Sequence, residues 1–126
     1  MSTYSIDLWP NDFGTVGVKP PVTVLREQAN LLANKTNGIL EAEVRTSTES
    51  DHFSHRFSIV SPALGGYRYL LFTLDHDAIL YPGRMHFQDD EYPIESEDDL
   101  LVRLKMAFAN DKTKRVIQSL IAQAKA

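Results

Sequence analysis

The side chains of this sequence best suited to acid–base or metal chemistry are its histidines, because imidazole titrates near neutral pH and binds transition metals. They are His52, His55, His76 and His86. His52 and His55 are three residues apart on a predicted strand, so their side chains point to opposite faces and cannot form a local ligand pair. His55 falls between two phenylalanines on the apolar face of that strand.

A histidine cluster forms only if the next strand turns its apolar residues at 70, 72 and 74 toward the face that holds His55. His76 then shares that face, and Asp75 or Asp77 can orient one imidazole in an acid–base or metal site. The sequence thus leaves open a small enzyme or metal-binding protein. A histidine on an apolar face is more often a core group with satisfied hydrogen bonds, so no catalytic residue is assigned.

Acidic residues are concentrated between positions 89 and 99. They are Asp89, Asp90, Glu91, Glu95, Glu97, Asp98 and Asp99. A calcium loop needs alternating oxygen ligands and a glycine at its sharp turn, and neither is present here. We expect residues 97–99 to occupy the first turn of a helix, where negative charge meets the positive helix end, and residues 89–91 to form a solvated turn.

Other routes to catalysis find little support in the sequence. The chain has no cysteine, which removes a cysteine nucleophile and a thiolate zinc site. It has no Gly-x-Ser-x-Gly nucleophile elbow, and neither glycine-rich stretch, at 14–17 or at 65–66, fits a phosphate-binding loop. We predict no cofactor and no bound metal, and we favour a protein without catalysis.

Hydrophobic periodicity divides the chain into an irregular arm, a helix, four strands and one or two C-terminal helices. The predicted bounds are 1–19 for the arm, about 21–36 for the helix, 39–48, 53–61, 67–75 and 78–88 for the strands, and 96 to the C-terminus for the last helix or helices. Consecutive strands with short connections pair antiparallel. The sequence therefore predicts one α+β domain over 1–126, in the order α-β-β-β-β-α(-α).

The third strand has apolar residues on both faces, which predicts a central strand sheltered above and below. If all helices lie on one face, Tyr67, Tyr69 and Leu71 form a partner surface on the other, because tyrosine is enriched at protein interfaces. Tyr81 is a further candidate for this surface. The alternative is that the C-terminal helix covers these residues.

Two large aromatic residues, Trp9 and Phe13, lie in the N-terminal arm. We expect them to pack on the core and fix the arm in place, as ordered termini often do. The alternative is a hook that binds a partner, and Trp9 is therefore included among the binding candidates.

Charge and hydropathy restrict the possible partners. The net charge is −4, which disfavours nucleic acid as a partner, although a basic cluster on the C-terminal helices keeps that option open. The cluster consists of Lys105, Lys112, Lys114 and Arg115. The sequence has neither a signal-peptide pattern nor an apolar run of the roughly 20 residues that a spanning helix needs, so we expect a cytoplasmic protein without a membrane partner.

The preferred function is a protein-binding or regulatory domain, with another protein or a second copy in a homodimer as the partner. Small acidic domains with this order of helices and strands include immunity or antitoxin-type inhibitors and secretion chaperones. This likeness concerns the layout alone, since no family is matched residue by residue. The enzyme and the nucleic-acid binder remain the alternatives.

Overall fold

The computed structural model describes residues 5–126, which form a five-stranded antiparallel sheet and three helices. The elements are α1 (Pro21–Lys35), β1 (Glu41–Glu49), β2 (His52–Ser61), β3 (Tyr67–His76), β4 (Gly83–Phe87), β5 (Asp90–Ile94), α2 (Glu97–Ala109) and α3 (Asp111–Ala124), with a short 3₁₀ turn (Pro62–Leu64) before β3. The strands lie side by side in sequence order. The predicted α+β fold is confirmed, with one strand more than expected.

The first helix follows from its sequence as predicted. Pro21 occupies the first turn, where its missing N–H is not needed, and Val24, Leu25 and Ala29 are buried. At the other end, the N–H of Gly38 donates to the Ala33 carbonyl at 2.9 Å. Gly38 has a φ of 78°, a conformation that glycine adopts without steric cost. The predicted bounds of 21–36 therefore differ from the structure by one residue.

The fifth strand corrects the prediction for the acidic segment. Residues 89–91 were expected to form a solvated turn and 78–88 a single broken strand, but β4 covers only Gly83–Phe87 and pairs with β5, which begins at Asp90. The two strands are joined by a two-residue turn at Gln88-Asp89. An edge strand tolerates Pro93 and acidic side chains on its solvated side, so its sequence lacks the apolar alternation that marks a strand.

A β-bulge interrupts the middle of the sheet. Phe57 lies opposite Phe72, but its neighbour Ser58 lies opposite Leu70, so Leu71 is an extra residue in β3. One extra residue reverses which side chains of a strand face the core. The predicted alternation of β3 therefore holds for residues 72 and 74 and fails before the bulge.

The reversal decides which face each side chain of β3 occupies. Tyr69 pairs with Ile59 and Tyr67 with Ser61, and both tyrosines lie on the side covered by helices. Leu70 turns to the other face and is 50% exposed, whereas Leu71 is buried at 6%. Of the two alternatives in the sequence analysis, the first, in which Tyr67, Tyr69 and Leu71 lie opposite the helices, is not met, and these residues lie on the helix side as in the second.

All three helices pack on one face of the sheet, and one hydrophobic cluster joins them to the strands. The other face, which we call the open face, carries charged side chains that pair with one another. Its pairs are Glu43 with Arg45 and Arg68, Arg84 with Glu91, and His86 with Asp75. The expectation that β3 is sheltered above and below is correct for the helix side only.

The C-terminal helices begin at polar side chains that cap them. The Ser96 hydroxyl accepts a hydrogen bond from the Asp99 N–H at 3.2 Å, and the Asn110 side chain accepts one from Lys112 N–H at 2.9 Å. Three acidic residues, 97–99, occupy the first turn of α2 as predicted. No helix within residues 5–126 is long and apolar enough to cross a membrane.

Candidate functional site

The candidate site is a groove between α3 and the first half of β3, which we call the tyrosine groove. Its volume is about 610 Å³, and its lining residues are Leu64, Tyr67, Tyr69, Lys112, Arg115, Val116, Ser119, Leu120 and Gln123. The β-bulge turns the two tyrosines toward α3, and α3 presents its apolar stripe to them. Two residues predicted for binding thus lie together, on the face of the sheet that the helices cover.

The charge of the tyrosine groove is positive. Lys112 and Arg115 are its only charged lining residues, and both are exposed. Neither forms an ion pair with any residue between 5 and 126. The groove therefore offers aromatic and aliphatic surface beside two cations that are available to an anionic group.

The edge of β3 beside this groove is also unpaired. β4 pairs only with the stretch of β3 from Phe72 to His76, so no strand of the described chain covers the second edge of residues 67–71. A cleft of about 250 Å³ lies along this edge and shares Tyr69 and Lys112 with the groove. An unpaired strand edge can accept backbone hydrogen bonds from an extended peptide.

Leu71 belongs to a smaller apolar cleft that shares no lining residue with the tyrosine groove. This cleft, of about 170 Å³, lies between α1, α3 and the sheet, and its walls include Leu32, Phe57, Leu71 and Ile117. Because Leu71 is mostly buried there, it forms part of the wall of this smaller cleft and not an exposed partner surface.

The N-terminal arm does not pack on the core. Trp9 and Phe13 are 74% and 75% exposed, which contradicts the expectation that they dock there. Their rings contact each other, with centroids 5.9 Å apart. The Asp7 carboxylate accepts from Trp9 N–H at 3.0 Å and the Asp12 carboxylate from Gly14 N–H at 2.8 Å, so two local turns shape the arm.

The arm joins the domain at Lys19, and Tyr81 takes part in that attachment. The Tyr81 hydroxyl donates to the Lys19 carbonyl at 3.0 Å, and the Lys19 N–H donates to the Glu97 carboxylate at 2.9 Å. Burial, with a smaller effect of Glu97, raises the pKa of Tyr81 to about 12. Tyr81 thus holds the root of the arm and lies apart from the other two tyrosines.

The histidine pair lies toward the opposite end of β3 from the tyrosine groove. His55 and His76 meet on the helix side of the sheet with their Nε2 atoms 2.8 Å apart, and His55 is only 2% exposed. In the sequence analysis, this contact depends on residues 70, 72 and 74 facing the side that holds His55, and residues 72 and 74 do so. The two histidines predicted to share a face therefore do so.

The hydrogen bonds of the histidine pair fix its protons. His76 Nδ1 lies 2.6 Å from the Asp77 carbonyl oxygen, which can only accept, so this nitrogen carries hydrogen. In the neutral pair, His76 Nε2 then accepts from His55 Nε2–H, and His55 Nδ1 accepts from the Thr46 hydroxyl at 2.8 Å. Both nitrogens of each ring are thus occupied by protein groups.

Burial makes protonation of His55 unfavourable. Desolvation, with smaller effects of His76 and Arg26, lowers the pKa of His55 from 6.5 to about 4, against the opposing effect of Asp75. His55 is therefore neutral at physiological pH.

The carboxylates that were candidates to orient a histidine lie elsewhere. Asp75 points to the open face, where its Oδ2 lies 2.9 Å from His86 Nε2. Asp77 contacts His76 through its backbone carbonyl rather than its side chain. The structure thus brings the two histidines together without a carboxylate. Among residues 5–126, no three histidine, aspartate or glutamate side chains are grouped so that they could hold a metal ion.

The sequence did not predict three structural features: the β-bulge, the contact of Thr46 with His55, and the contact of His86 with Asp75. The β-bulge leaves no mark in the alternation, because Leu70 and Leu71 are both leucine. Thr46 lies opposite His55 in the pairing of β1 with β2, and that register determines their contact. Pairing of β3 with β4 places His86 opposite Thr73, beside Asp75, and a correct hairpin register could have predicted the contact of His86 with Asp75.

Comparison of the chain with protein-family models, with curated proteins and with solved structures finds no match.

Proposed function

We propose that this protein is a protein-binding domain without catalysis, and that the tyrosine groove is its docking site. The observation that carries the proposal is the coincidence of three features in one place. Beside Tyr69 meet apolar and aromatic walls, two cations that form no ion pair with any residue of 5–126, and a strand edge that no strand of this part of the chain covers.

These features specify the chemistry of the partner segment. The unpaired edge of residues 67–71 suits an extended peptide that adds a strand to the sheet and makes backbone hydrogen bonds. Tyr67, Tyr69 and the apolar residues of α3 suit aliphatic or aromatic side chains. Lys112 and Arg115 suit carboxylates, so the expected ligand is an extended apolar segment with acidic residues.

The histidine pair also favours a domain without catalysis, because each of its ring nitrogens already has a hydrogen-bond partner in the protein. A general base or a metal ligand needs a ring nitrogen that can reach the substrate or the metal. In the pair, each nitrogen of His55 and His76 has a partner within 2.8 Å. We therefore assign the pair to the stability of the fold, which counts against an enzyme that uses these two imidazoles.

An inhibitor of the immunity or antitoxin type, or a secretion chaperone, would use such a groove to hold a segment of its target. A cytoplasmic location suits either role and a chain without cysteine. The nucleic-acid alternative would use the same cations, Lys112 and Arg115, but the net charge of −4 disfavours a polyanionic partner.

The test is a titration of the ¹⁵N-labelled full chain with a synthetic peptide of leucine, tryptophan and aspartate separated by serines. We expect the amide signals of residues 67–71 and of α3 to shift. A matched peptide with lysine for aspartate should bind at least about tenfold more weakly, because close charge pairs in an interface contribute more than 1.4 kcal/mol. A peptide with serine for leucine and tryptophan should not bind.

Two charge variants of the protein provide the control. Lys112→Glu/Arg115→Glu reverses the charge of the groove, whereas Lys105→Glu/Lys114→Glu reverses two exposed lysines that do not line it. The first variant should lose the shifts and the second should retain them. Equal loss in both, or shifts confined to the open face, would contradict the proposal. Tighter binding of a single-stranded oligonucleotide than of the peptide would favour the nucleic-acid alternative.

A further inference from the structure

We infer that the segment bound in the tyrosine groove is the N-terminal arm of a second copy of this chain. The inference rests on the proposed docking function of the groove and names its partner. The arm and the groove are two unpartnered surfaces of one molecule, and their chemistry is complementary.

The first observation is the apolar character of the arm. Between positions 6 and 18 its large hydrophobic side chains are exposed to solvent. They are Ile6, Leu8, Trp9, Phe13, Val16 and Val18. Six such residues in one short segment form an apolar surface of the kind that marks a protein–protein contact. The arm therefore has the composition of a ligand for an apolar groove.

The second observation is charge. Asp7 and Asp12 are the only charged residues between positions 5 and 18. Neither forms an ion pair within the described chain, and the charged residues lining the groove, Lys112 and Arg115, are both positive. Two carboxylates in the arm thus match two cations in the groove.

The third observation is length. The groove follows α3 from Lys112 to Gln123. At 1.5 Å per residue this stretch is about 16 Å long, which an extended chain covers with about five residues. The segment from Trp9 to Phe13, which contains Asp12, reaches that length when its chain extends and its two rings, now 5.9 Å apart, separate along the groove.

The direction of the arm favours exchange between two copies. Its root at Lys19 is held by Tyr81 and Glu97, near the end of β3 where His76 pairs with Gly83. The tyrosine groove lies at the start of β3, at the other end of the strand. In a two-fold dimer each arm can reach the groove of its partner, so both grooves are filled by one symmetric contact.

The natural absence of cysteine permits a direct test with introduced cysteines. Asn11→Cys places a thiol in the arm, and Ser119→Cys places one in the groove. The two single variants are mixed in equal amounts and oxidised with oxidised glutathione. We expect the dimer that joins position 11 of one chain to position 119 of the other to exceed each symmetric dimer at least about tenfold, because binding raises the effective concentration of this thiol pair.

Gln118→Cys is the matched control, since residue 118 is exposed on α3 but does not line the groove. Its mixture with Asn11→Cys should give only the random distribution of dimers. A random distribution with Ser119→Cys as well would overturn the inference. The double variant Asn11→Cys/Ser119→Cys, oxidised at low protein concentration, should form cross-linked dimers, whereas an internally cross-linked monomer would show that the arm occupies its own groove and would also overturn the inference.

Failure of this inference can be distinguished from failure of the proposed function. If the cross-link is absent while the synthetic peptide still shifts the groove amides, the groove binds another protein and only the assignment of the arm is wrong. If the peptide also fails, the docking function itself is wrong. Trp9→Ser should weaken self-association by about tenfold or more, as expected for an aromatic anchor, with a sedimentation measurement as the readout.

Discussion

The two ends of β3 present polar aromatic side chains on the same side of the sheet in opposite settings. At one end His76 pairs with His55 in an enclosed site where every ring nitrogen has a protein partner. At the other end Tyr67 and Tyr69 line an open groove beside two cations. The histidine end, with the more reactive side chains, is therefore enclosed, and the tyrosine end, with the less reactive side chains, is accessible.

This difference shows that accessibility and unused bonding capacity, rather than residue type, indicate where a partner can bind. The histidine end contributes to the free energy of unfolding, because its polar atoms are buried and satisfied. The tyrosine end is available for association. Among residues 5–126, no strand covers its edge and no acidic side chain pairs with its two cations. The comparison predicts that mutations at the two ends have separate effects.

The largest expected effect on stability is at the closed end. His55→Ala removes a buried ring and leaves the Nε2 of His76 without its donor, so the free energy of unfolding should fall by about 3–4 kcal/mol. Urea denaturation followed by circular dichroism measures it. His52→Ala, at a partly exposed histidine without the paired contact, should cost less than about 1 kcal/mol. A loss of stability for His55→Ala as small as that for His52→Ala would contradict the assignment of the histidine pair to the stability of the fold.

The pH dependence of stability should show the same buried histidine. Because the pKa of His55 is about 4 in the folded protein and near 6.5 when unfolded, the unfolded state binds the proton more readily. The contribution is complete above pH 6.5 and is lost as the pH falls toward 4, by up to about 3 kcal/mol. Urea denaturation at a series of pH values measures it.

The control for that pH series is His55→Gln, which cannot titrate. The difference between the two pH profiles removes the contribution of carboxylates common to both proteins. A difference that stays constant between pH 7 and pH 4 would show that His55 is not buried as a neutral ring.

A smaller effect is expected at the β-bulge, where two adjacent leucines differ in burial. Leu71→Ala should reduce the free energy of unfolding by about 2 kcal/mol, since Leu71 packs between the sheet and α3. Leu70→Ala, on the open face, should cost less than about 0.5 kcal/mol. Equal costs would show that the bulge does not direct these side chains to different faces, and the position of the tyrosines would then need revision.

The smallest effect on stability is expected at the tyrosine end of β3. Tyr67→Ser should change the free energy of unfolding by less than about 0.5 kcal/mol, because half of Tyr67 is exposed and its hydroxyl has no described hydrogen bond. The same variant should bind the apolar–acidic peptide more weakly. A loss of stability without a loss of binding would assign Tyr67 to the fold instead of the docking site.

Local sequence rules predicted the parts of the fold that depend on short-range chemistry. The helix at 21–36 depends on Pro21 at its start and on the left-handed Gly38 after its end, and the acidic first turn of α2 depends on the attraction of carboxylates to a helix start. The contact of His55 with His76 depends only on the register of the hairpin formed by β2 and β3. The sequence could therefore predict this contact for one particular register.

The parts that escaped prediction depend on long-range pairing. The bulge at Leu71 is produced by the partner strand, and its effect on Tyr67 and Tyr69 cannot be read from alternation alone. The edge strand β5 is identified by its pairing with β4, since its own residues are acidic and include Pro93. The groove therefore became recognisable only when α3 and β3 were placed together.

The most direct test of the docking site is a charge-reversal cycle read out by sedimentation equilibrium of the full chain. Asp7→Lys/Asp12→Lys changes the arm, and Lys112→Glu/Arg115→Glu changes the groove. We predict that each variant alone associates at least about tenfold more weakly than the original chain, and that an equal mixture of the two regains association, because reversed arms then meet reversed grooves. Association unchanged in both variants, or a mixture as weak as its components, would contradict the account.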